Sequence, residues 1–344
     1  MQPSILHTTD LFHPHCDPDD HFDLALQFAL YAQGHTVLRQ VLIDHPARTH
    51  MEEQYAPAAV AMAQMNVITG KNVPFRVGCP QGVGTRNDDL RGLSPAERGG
   101  VEAILETLRQ ADSPVRIIVV GDCSDVAAAF RSQPELFREK CGRVYVNAGT
   151  GRITEGKERE WNVALNRPAY AALFDLPCPV YWCPCFHIIH DEPEYFGPNN
   201  QGENGSVFLA EQAPVFGRLS RRMQNFFAYM FECSTDPMWL TWLDRKAPSP
   251  ALEEERGLPR RFYSTASIFH GAGLEVEPDG SVVPKAQARE PVFTFEPIRV
   301  SCDDSGVTRW EYAEADTGRY ILKVSGPRYA SAMAEAMGRA LEVL

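Results

Sequence analysis

The chain lacks a run of five or six basic residues, and its 344 residues carry a formal net charge of −12. Binding to a phosphate backbone requires a dense basic face, so the sequence predicts no nucleic-acid partner. The chain also lacks any apolar run of about 18 residues, the length that crosses a membrane, and no membrane span is predicted. No basic segment followed by an apolar stretch opens the chain. We therefore expect no signal peptide and a cytoplasmic location.

Cysteine is present, but its pattern supports neither a disulfide framework nor a zinc site. The nine cysteines are odd in number and scattered, unlike those of a short secreted domain. Cys183-Pro184-Cys185 lacks the C-x-x-C spacing of a zinc ribbon or a thioredoxin-like site. Buried, reduced thiols are the favoured interpretation. The acidic balance suits a divalent cation or a neutral or cationic small molecule as ligand, and it equally suits plain solubility.

Short apolar runs alternate with helical patterns in the first half of the chain. Strands that alternate with helices indicate parallel strands joined by right-handed crossovers. We therefore predict an α/β protein with an open, mostly parallel sheet and flanking helices. The predicted strands are Ser4–Thr9, Val37–Ile43, Val73–Val77, Val115–Val120 and Arg143–Asn147, and the predicted helices are Asp23–Ala32, Glu52–Met65, Glu97–Gln110 and Ser124–Phe130.

The second half of the chain is less regular. The segment 246–270 begins with a stretch rich in charge and proline, and it is predicted to be a surface insertion. Without an internal repeat or a low-complexity linker, residues 1–344 are expected to form one domain with C-terminal additions. The elements predicted here are helices at Pro168–Phe174 and Pro214–Phe231, strands at Val180–Cys183, Pro291–Val300, Val307–Glu314 and Gly318–Val324, and a last helix from about Arg328.

An aspartate cluster follows the first predicted strand. Five carboxylates fall within residues 10 to 23, namely Asp10, Asp17, Asp19, Asp20 and Asp23. Carboxylates crowded this closely repel one another unless a cation offsets them, and Ca²⁺ takes six to eight oxygen ligands from such a cluster. Two alternatives remain open. The segment could be a solvated, aspartate-capped turn, or its histidines His13, His15 and His21 could favour a transition metal.

Further motifs follow the cluster in a recognisable order. They are Val73–Gly78 (VPFRVG), Val119–Ala127 (VVGDCSDVA), Glu160–Ala171 (EWNVALNRPAYA) and Thr235–Met238 (TDPM). In this order and spacing the chain resembles the inosine–uridine-preferring nucleoside hydrolases, over roughly residues 4–245. That family carries VPVxxG, GPLTNxA, EFNxxxDPxAA and HDPLA segments after an Asp-rich loop. The departures are a longer first loop, Asp44 in place of an asparagine, and Thr235 in place of the leaving-group histidine.

The resemblance implies a Ca²⁺-dependent hydrolase of the glycosidase class, which cleaves the N-glycosidic bond of a ribonucleoside or nucleoside-like compound. It also implies a homodimer or homotetramer and a role in nucleoside metabolism. Asp10 would contact the metal and act as general base, with the remaining metal ligands Asp20, Asp236 and the carbonyl of Val120. Asp19 would bind a sugar hydroxyl, and Glu160 and Asn162 would contact the sugar from above.

Most of these residues also have a simpler interpretation. Asp236 could cap a helix, Glu160 could belong to a solvated loop, and Asn162 could be a turn residue. The alternatives for the remaining candidates are similar: Asp44 lines the pocket or merely ends a strand, His270 replaces the missing proton donor or is a core histidine, and Trp161 stacks on a base or packs in the core. A non-catalytic sugar- or nucleoside-binding protein on the same scaffold is the alternative function, and a Ca²⁺-stabilised structural protein is a third.

Overall fold

A computed structural model describes residues 2–11, 18–48, 55–153, 160–189 and 202–344. The strands are β1 Ser4–Thr9, β2 Val37–Ile43, β3 Phe75–Val77, β4 Val115–Val120, β5 Cys141–Asn147, β6 Thr150–Ile153, β7 Val180–Cys183, β8 Phe186–Ile189, β9 Phe208–Glu211, β10 Pro259–Phe262, β11 Leu274–Val276, β12 Val282–Pro284, β13 Phe293–Cys302, β14 Thr308–Tyr312 and β15 Arg319–Val324. The helices are α1 Pro18–Ala32, α2 Tyr55–Thr69, α3 Gly99–Gln110, α4 Ser124–Ser132, α5 Pro134–Lys140, α6 Trp161–Leu165, α7 Arg167–Leu173, α8 Ala213–Phe216, α9 Arg221–Phe231, α10 Trp239–Leu243, α11 Pro250–Arg256, α12 Thr265–Gly271 and α13 Tyr329–Leu341.

Within the described residues, nine of these strands form one sheet in the order β14-β13-β15-β7-β5-β4-β1-β2-β3. The neighbours from β15 to β3 pair in parallel, and β13 is antiparallel to both of its neighbours. The predicted open, mostly parallel α/β sheet is confirmed. The chain runs outward from β1 through β2 to β3 and then returns to β4 on the other side of β1. The strand order therefore reverses between β1 and β4, the place where open α/β sheets bind ligands.

Helices cover both faces of the sheet, and alternate residues of the strands enter the two apolar cores. In β4, Ile118 and Val120 join the core formed with α1, α9 and α13, whereas Ile117 and Val119 join the core formed with α3 and α4. Burial on both faces explains why the central strands are apolar almost throughout. Among the described helices, none is long and apolar enough to cross a bilayer.

Two predictions about the second half of the chain differ from the structure. The helix predicted over Pro214–Phe231 is split into α8 and α9, because the Ser220 side chain accepts a hydrogen bond from the backbone N–H of Met223 and begins a new helix.

The segment 246–270 is at the surface only in its first part. Its later residues form β10, which pairs with β9, and α12, which is buried. The end of this segment therefore belongs to the core, whereas its first part is at the surface as predicted.

Candidate functional site

Two buried carboxylates converge where the strand order reverses. Asp10 directly follows β1 and Asp44 directly follows β2, and both are almost fully buried. The turn after β4 packs against them at Gly121, whose φ is +89°. A Cβ atom on Gly121 would clash with Asp44 Oδ2 and lie 3.1 Å from Asp10 Oδ1, so only glycine fits this position. The backbone N–H of Asp122 donates to Asp44 Oδ2 at 2.5 Å and fixes that carboxylate.

A buried arginine neutralises the carboxylates next to Asp10. The Arg48 guanidinium lies 3.3 Å from Asp44 Oδ1, 3.6 Å from Asp122 Oδ2 and 2.8 Å from Asp125 Oδ2. These carboxylates raise the pKa of Arg48, so it stays charged in spite of its burial. Burial raises the pKa of Asp44 well above its usual range; Arg48 acts against this shift, and the neighbouring Asp122 and Asp10 add to it. We call Arg48, Asp44, Asp122 and Asp125 the Arg48 cluster.

The first helix brings Asp19 and Asp20 to the same edge of the sheet. Both are in the first turn of α1, where carboxylates are favoured by the helix dipole. The Thr9 hydroxyl donates to Asp20 Oδ1 at 3.2 Å, which places this buried carboxylate beside the end of β1. The Val120 carbonyl oxygen lies 3.5 Å from the Thr8 hydroxyl. Asp10, Asp20 and the Val120 carbonyl therefore all lie near the carboxyl ends of β1 and β4.

Glu160 closes the other side of the group and is buried. Its Oε2 accepts from the N–H groups of Gly149 at 2.7 Å and Val163 at 3.1 Å, and its Oε1 accepts from Asn162 at 3.0 Å. The carboxylate therefore caps α6. The Cys185 thiol hydrogen-bonds to Glu160 and lies within electrostatic reach of Asp19, and its pKa is raised by burial and by these carboxylates.

Asn162 and Trp161 occupy different environments on the same short helix. The Asn162 amide donates to the Asn147 carbonyl at 2.9 Å, which ties α6 to the carboxyl end of β5. Trp161 is 44% exposed and lies at the surface beside the buried Glu160. Glu160 is therefore not in a solvated loop, and Trp161 is not in the core.

Comparison with solved structures identifies the architecture. No family model and no curated protein matches the sequence. A purine-preferring ribonucleoside hydrolase from Gardnerella vaginalis superposes with a TM-score of 0.57 at 14% identity, over 99% of this chain and 100% of that chain. The inosine–uridine-preferring nucleoside hydrolase from Bacillus anthracis gives 0.54 at 14% identity, over 100% of both chains. This chain has the nucleoside hydrolase fold. The type III effector protein XopQ, solved in complex with adenosine diphosphate ribose, gives 0.51 at 14% identity, over 99% of this chain and 93% of that chain.

One residue expected in the site is exposed and accepts hydrogen bonds from its own turn and the next helix. Asp236 is exposed on the turn between α9 and α10. Its Oδ1 accepts from the N–H of Met238 at 2.8 Å and its Oδ2 accepts from the indole of Trp242 at 3.0 Å. These hydrogen bonds hold the pKa of Asp236 below its usual range. The observed contacts are those of a capping residue, the simpler interpretation of this aspartate.

His270 is also placed away from the carboxylates. It lies on α12, and its ring packs against Tyr145, Tyr181 and Phe295. Its Nδ1 is 2.8 Å from the Tyr145 hydroxyl and its Nε2 is 3.0 Å from Lys285 Nζ. Burial and the nearby cations lower its pKa well below the usual value. These contacts are those of a core histidine.

The predicted set of calcium ligands is therefore not assembled by the described residues. Asp10, Asp20 and Val120 lie near the carboxyl ends of β1 and β4, whereas Asp236 is exposed on the turn after α9. Across the described ranges, no group of three His, Cys, Asp or Glu side chains could hold a metal ion. Residues 12–17, which contain His13, His15 and Asp17, lie outside the described residues. We derive no catalytic step through a metal, and calcium stays a prediction.

The members of the Arg48 cluster other than Asp44 were missed from the sequence. Arg48 is four residues after Asp44, a spacing that helix residues use for ion pairs. Asp122 and Asp125 follow the buried strand β4, where ligand-binding residues are expected in an open sheet. These two signals were present in the sequence, although neither says that the two loops meet.

Proposed function

We propose that the chain hydrolyses the N-glycosidic bond of a ribonucleoside or nucleoside-like glycoside. The observation that carries this proposal is the position of Asp10. Its buried carboxylate follows the central strand β1 and faces the turn after β4, at the reversal of strand order. The nucleoside hydrolase fold supports the same activity. The substrate is a small molecule, and we propose that Asp19 and the exposed Trp161 contact its sugar and its base.

The chemistry needs a base and a negative environment, and the site offers both. Cleavage of the glycosidic bond passes through an oxocarbenium-like state of the sugar. A water must attack the sugar ring on the face opposite the leaving group. We propose that Asp10 accepts the proton of this water. Asp44 Oδ2 is held in place by the N–H of Asp122, and in its ionised form this second carboxyl group would stabilise positive charge that develops on the sugar ring.

Release of reducing sugar from a panel of nucleosides tests this proposal. The panel should include a riboside with a p-nitrophenyl leaving group, which needs no protonation to depart. We expect this riboside to be cleaved, because the proposed general base, Asp10, is present. Natural nucleosides should be cleaved more slowly, because Thr235 stands in place of the histidine that protonates the leaving group. If no substrate is cleaved while ribose still raises the melting temperature, the protein binds sugar without turnover.

The binding alternative also has an observation in its favour. Asp236 is exposed and its carboxylate oxygens accept hydrogen bonds from Met238 and Trp242, so the described site has fewer acidic groups than the resemblance implies. XopQ shares the fold and was solved with adenosine diphosphate ribose. A melting-temperature increase with adenosine diphosphate ribose, without release of reducing sugar, would establish binding as the function. Release of ribose from any nucleoside would exclude it.

Calorimetric titration with CaCl₂ checks the calcium prediction. We expect Asp20→Asn to weaken calcium binding, because Asp20 is buried beside Asp10. Asp236→Asn should leave the calcium Kd unchanged, since this exposed carboxylate already accepts two hydrogen bonds. Loss of binding in Asp236→Asn would mean that the turn moves onto the site in solution. A wild-type chain that binds no calcium would contradict the prediction itself.

His270→Ala separates a proton donor from a core residue. We expect this change to lower the free energy of unfolding by about 1–3 kcal/mol, because the buried hydroxyl of Tyr145 loses one of its two hydrogen-bond partners, His270 and Arg143. Natural nucleosides and the p-nitrophenyl riboside should be affected alike. A slower rate for natural nucleosides alone would show that His270 donates the proton after all.

A further inference from the structure

Two arginines lie side by side at the amino ends of β4 and β5. Arg116 and Arg143 are direct partners in the register of these parallel strands. Their side chains project from the same face of the sheet as that of Tyr145, because alternate residues of a strand share a face. Both arginines are half-buried. They are at the opposite end of the strands from Asp10 and Asp44.

Neither arginine has a carboxylate partner among the residues that the structure describes. Arg116 donates to the Gly271 carbonyl at 2.7 Å, and the groups that act on its charge are Arg143, Tyr145 and Tyr181. Burial and the repulsion from Arg143 lower the pKa of Arg116. The groups around Arg143 are again tyrosines. Half-buried cations without a counter-charge are costly, and an anion between them would remove that cost.

The surroundings add positive charge and an aromatic surface. Lys285 Nζ lies 3.0 Å from His270 Nε2, and both arginines and Lys285 are close enough to lower the pKa of that histidine. Glu275 Oε1 lies 3.9 Å from Lys285 Nζ and 3.7 Å from His270 Nε2, and burial raises the pKa of this carboxyl group to about 7. Tyr181 and Tyr320 stack with ring centroids 4.6 Å apart, and the Arg143 guanidinium lies 5.2 Å from the Tyr181 centroid.

We propose that Arg116 and Arg143 form a binding site for a phosphate group. The two arginines carry two positive charges that have no carboxylate partner among the described residues, and a phosphate dianion balances them. Guanidinium groups offer planar pairs of N–H donors that match the oxygens of a phosphate group. A carboxylate could accept the same hydrogen bonds, but it would balance only one of the two positive charges. This site is separate from the proposed hydrolase site, and neither proposal depends on the other.

Titration of the full chain with sodium phosphate tests the proposal. At constant ionic strength, kept with sodium chloride, we expect saturable calorimetric binding and a rise in melting temperature. Arg116→Met and Arg143→Met should each weaken binding about 10-fold or more. The matched control is Arg299→Met, because Arg299 is exposed and already paired with Glu311. Its phosphate affinity should equal that of the wild type.

Two further arms complete the experiment. Phenyl phosphate that binds more tightly than inorganic phosphate would identify a phosphoester that uses the Tyr181–Tyr320 stack, and equal affinities would identify free phosphate. If the arginine variants fail to fold, labelling of the wild-type chain with phenylglyoxal gives the answer, since phosphate should protect Arg116 and Arg143 and leave Arg299 reactive. No saturable binding by the wild type, equal affinity in all variants, or equal labelling with and without phosphate would overturn the proposal.

Discussion

Replacing Asp10 with asparagine is expected to lower kcat by about 10²- to 10⁴-fold, the usual contribution of a general base. Asparagine has the size of aspartate, so the packing against Gly121 should persist. It cannot accept the proton of an attacking water. The measurement is kcat and KM with a nucleoside that the wild type cleaves, together with the melting temperature. KM should change less than kcat, because the lost interaction acts in the transition state.

The control for this prediction is Asp112→Asn. Asp112 is exposed in the loop between α3 and β4, away from the site, and its replacement should leave kcat unchanged. Near-normal kcat in the Asp10 variant would move the general base to Asp19 or to Asp17, which lies outside the described residues. A large loss of stability in this variant would instead assign Asp10 a structural role.

Replacing Arg48 with methionine is expected to lower the free energy of unfolding by about 3–5 kcal/mol. The guanidinium is buried and pairs with Asp44, Asp122 and Asp125. Without the guanidinium, these carboxylates stay buried and have lost the cation that pairs with them. Burial of an unpaired charge costs more free energy than burial of a complete ion pair. Urea unfolding at neutral pH, where the carboxylates would otherwise ionise, measures the effect.

Two variants decide whether the charge of Arg48 is responsible. Arg299→Met removes an exposed arginine that is paired with Glu311, and we expect no measurable change in stability. Adding Asp125→Asn to Arg48→Met should restore part of the loss, because one of the unpaired carboxylates is removed. Equal stability losses in the Arg48 and Arg299 variants would contradict the role assigned to the Arg48 cluster.

Much of the fold follows from local sequence patterns. The β-rich run of β4 and the amphipathic spacing of α3 are properties of neighbouring residues, so both elements were predicted within a few residues of their observed ends. The position of Asp10 follows in the same way. It comes directly after the first strand, and in a parallel sheet that position is at the ligand-binding edge. The family resemblance extended this to Asp20 and Val120.

The remaining parts of the site depend on how distant segments meet. Arg48 pairs with Asp122 and Asp125 because β2 and β4 flank β1, and the segments that follow these two strands meet beyond its carboxyl end. No local pattern shows that approach. The orientation of Asp236 depends on the turn that follows α9 and on the hydrogen bond that its carboxylate accepts from the Trp242 indole.

The amino-acid sequence by itself determined the α/β class, the order of the central elements and the place of Asp10, because periodicity and strand ends are local properties. Only the tertiary structure decided that Asp44 is held by a buried arginine, that Asp236 faces solvent, and that His270 is enclosed by Tyr145 and Lys285. These arrangements depend on contacts between residues far apart in the chain. Burial and charge at such contacts are set by the packing of whole elements, which a linear pattern does not contain.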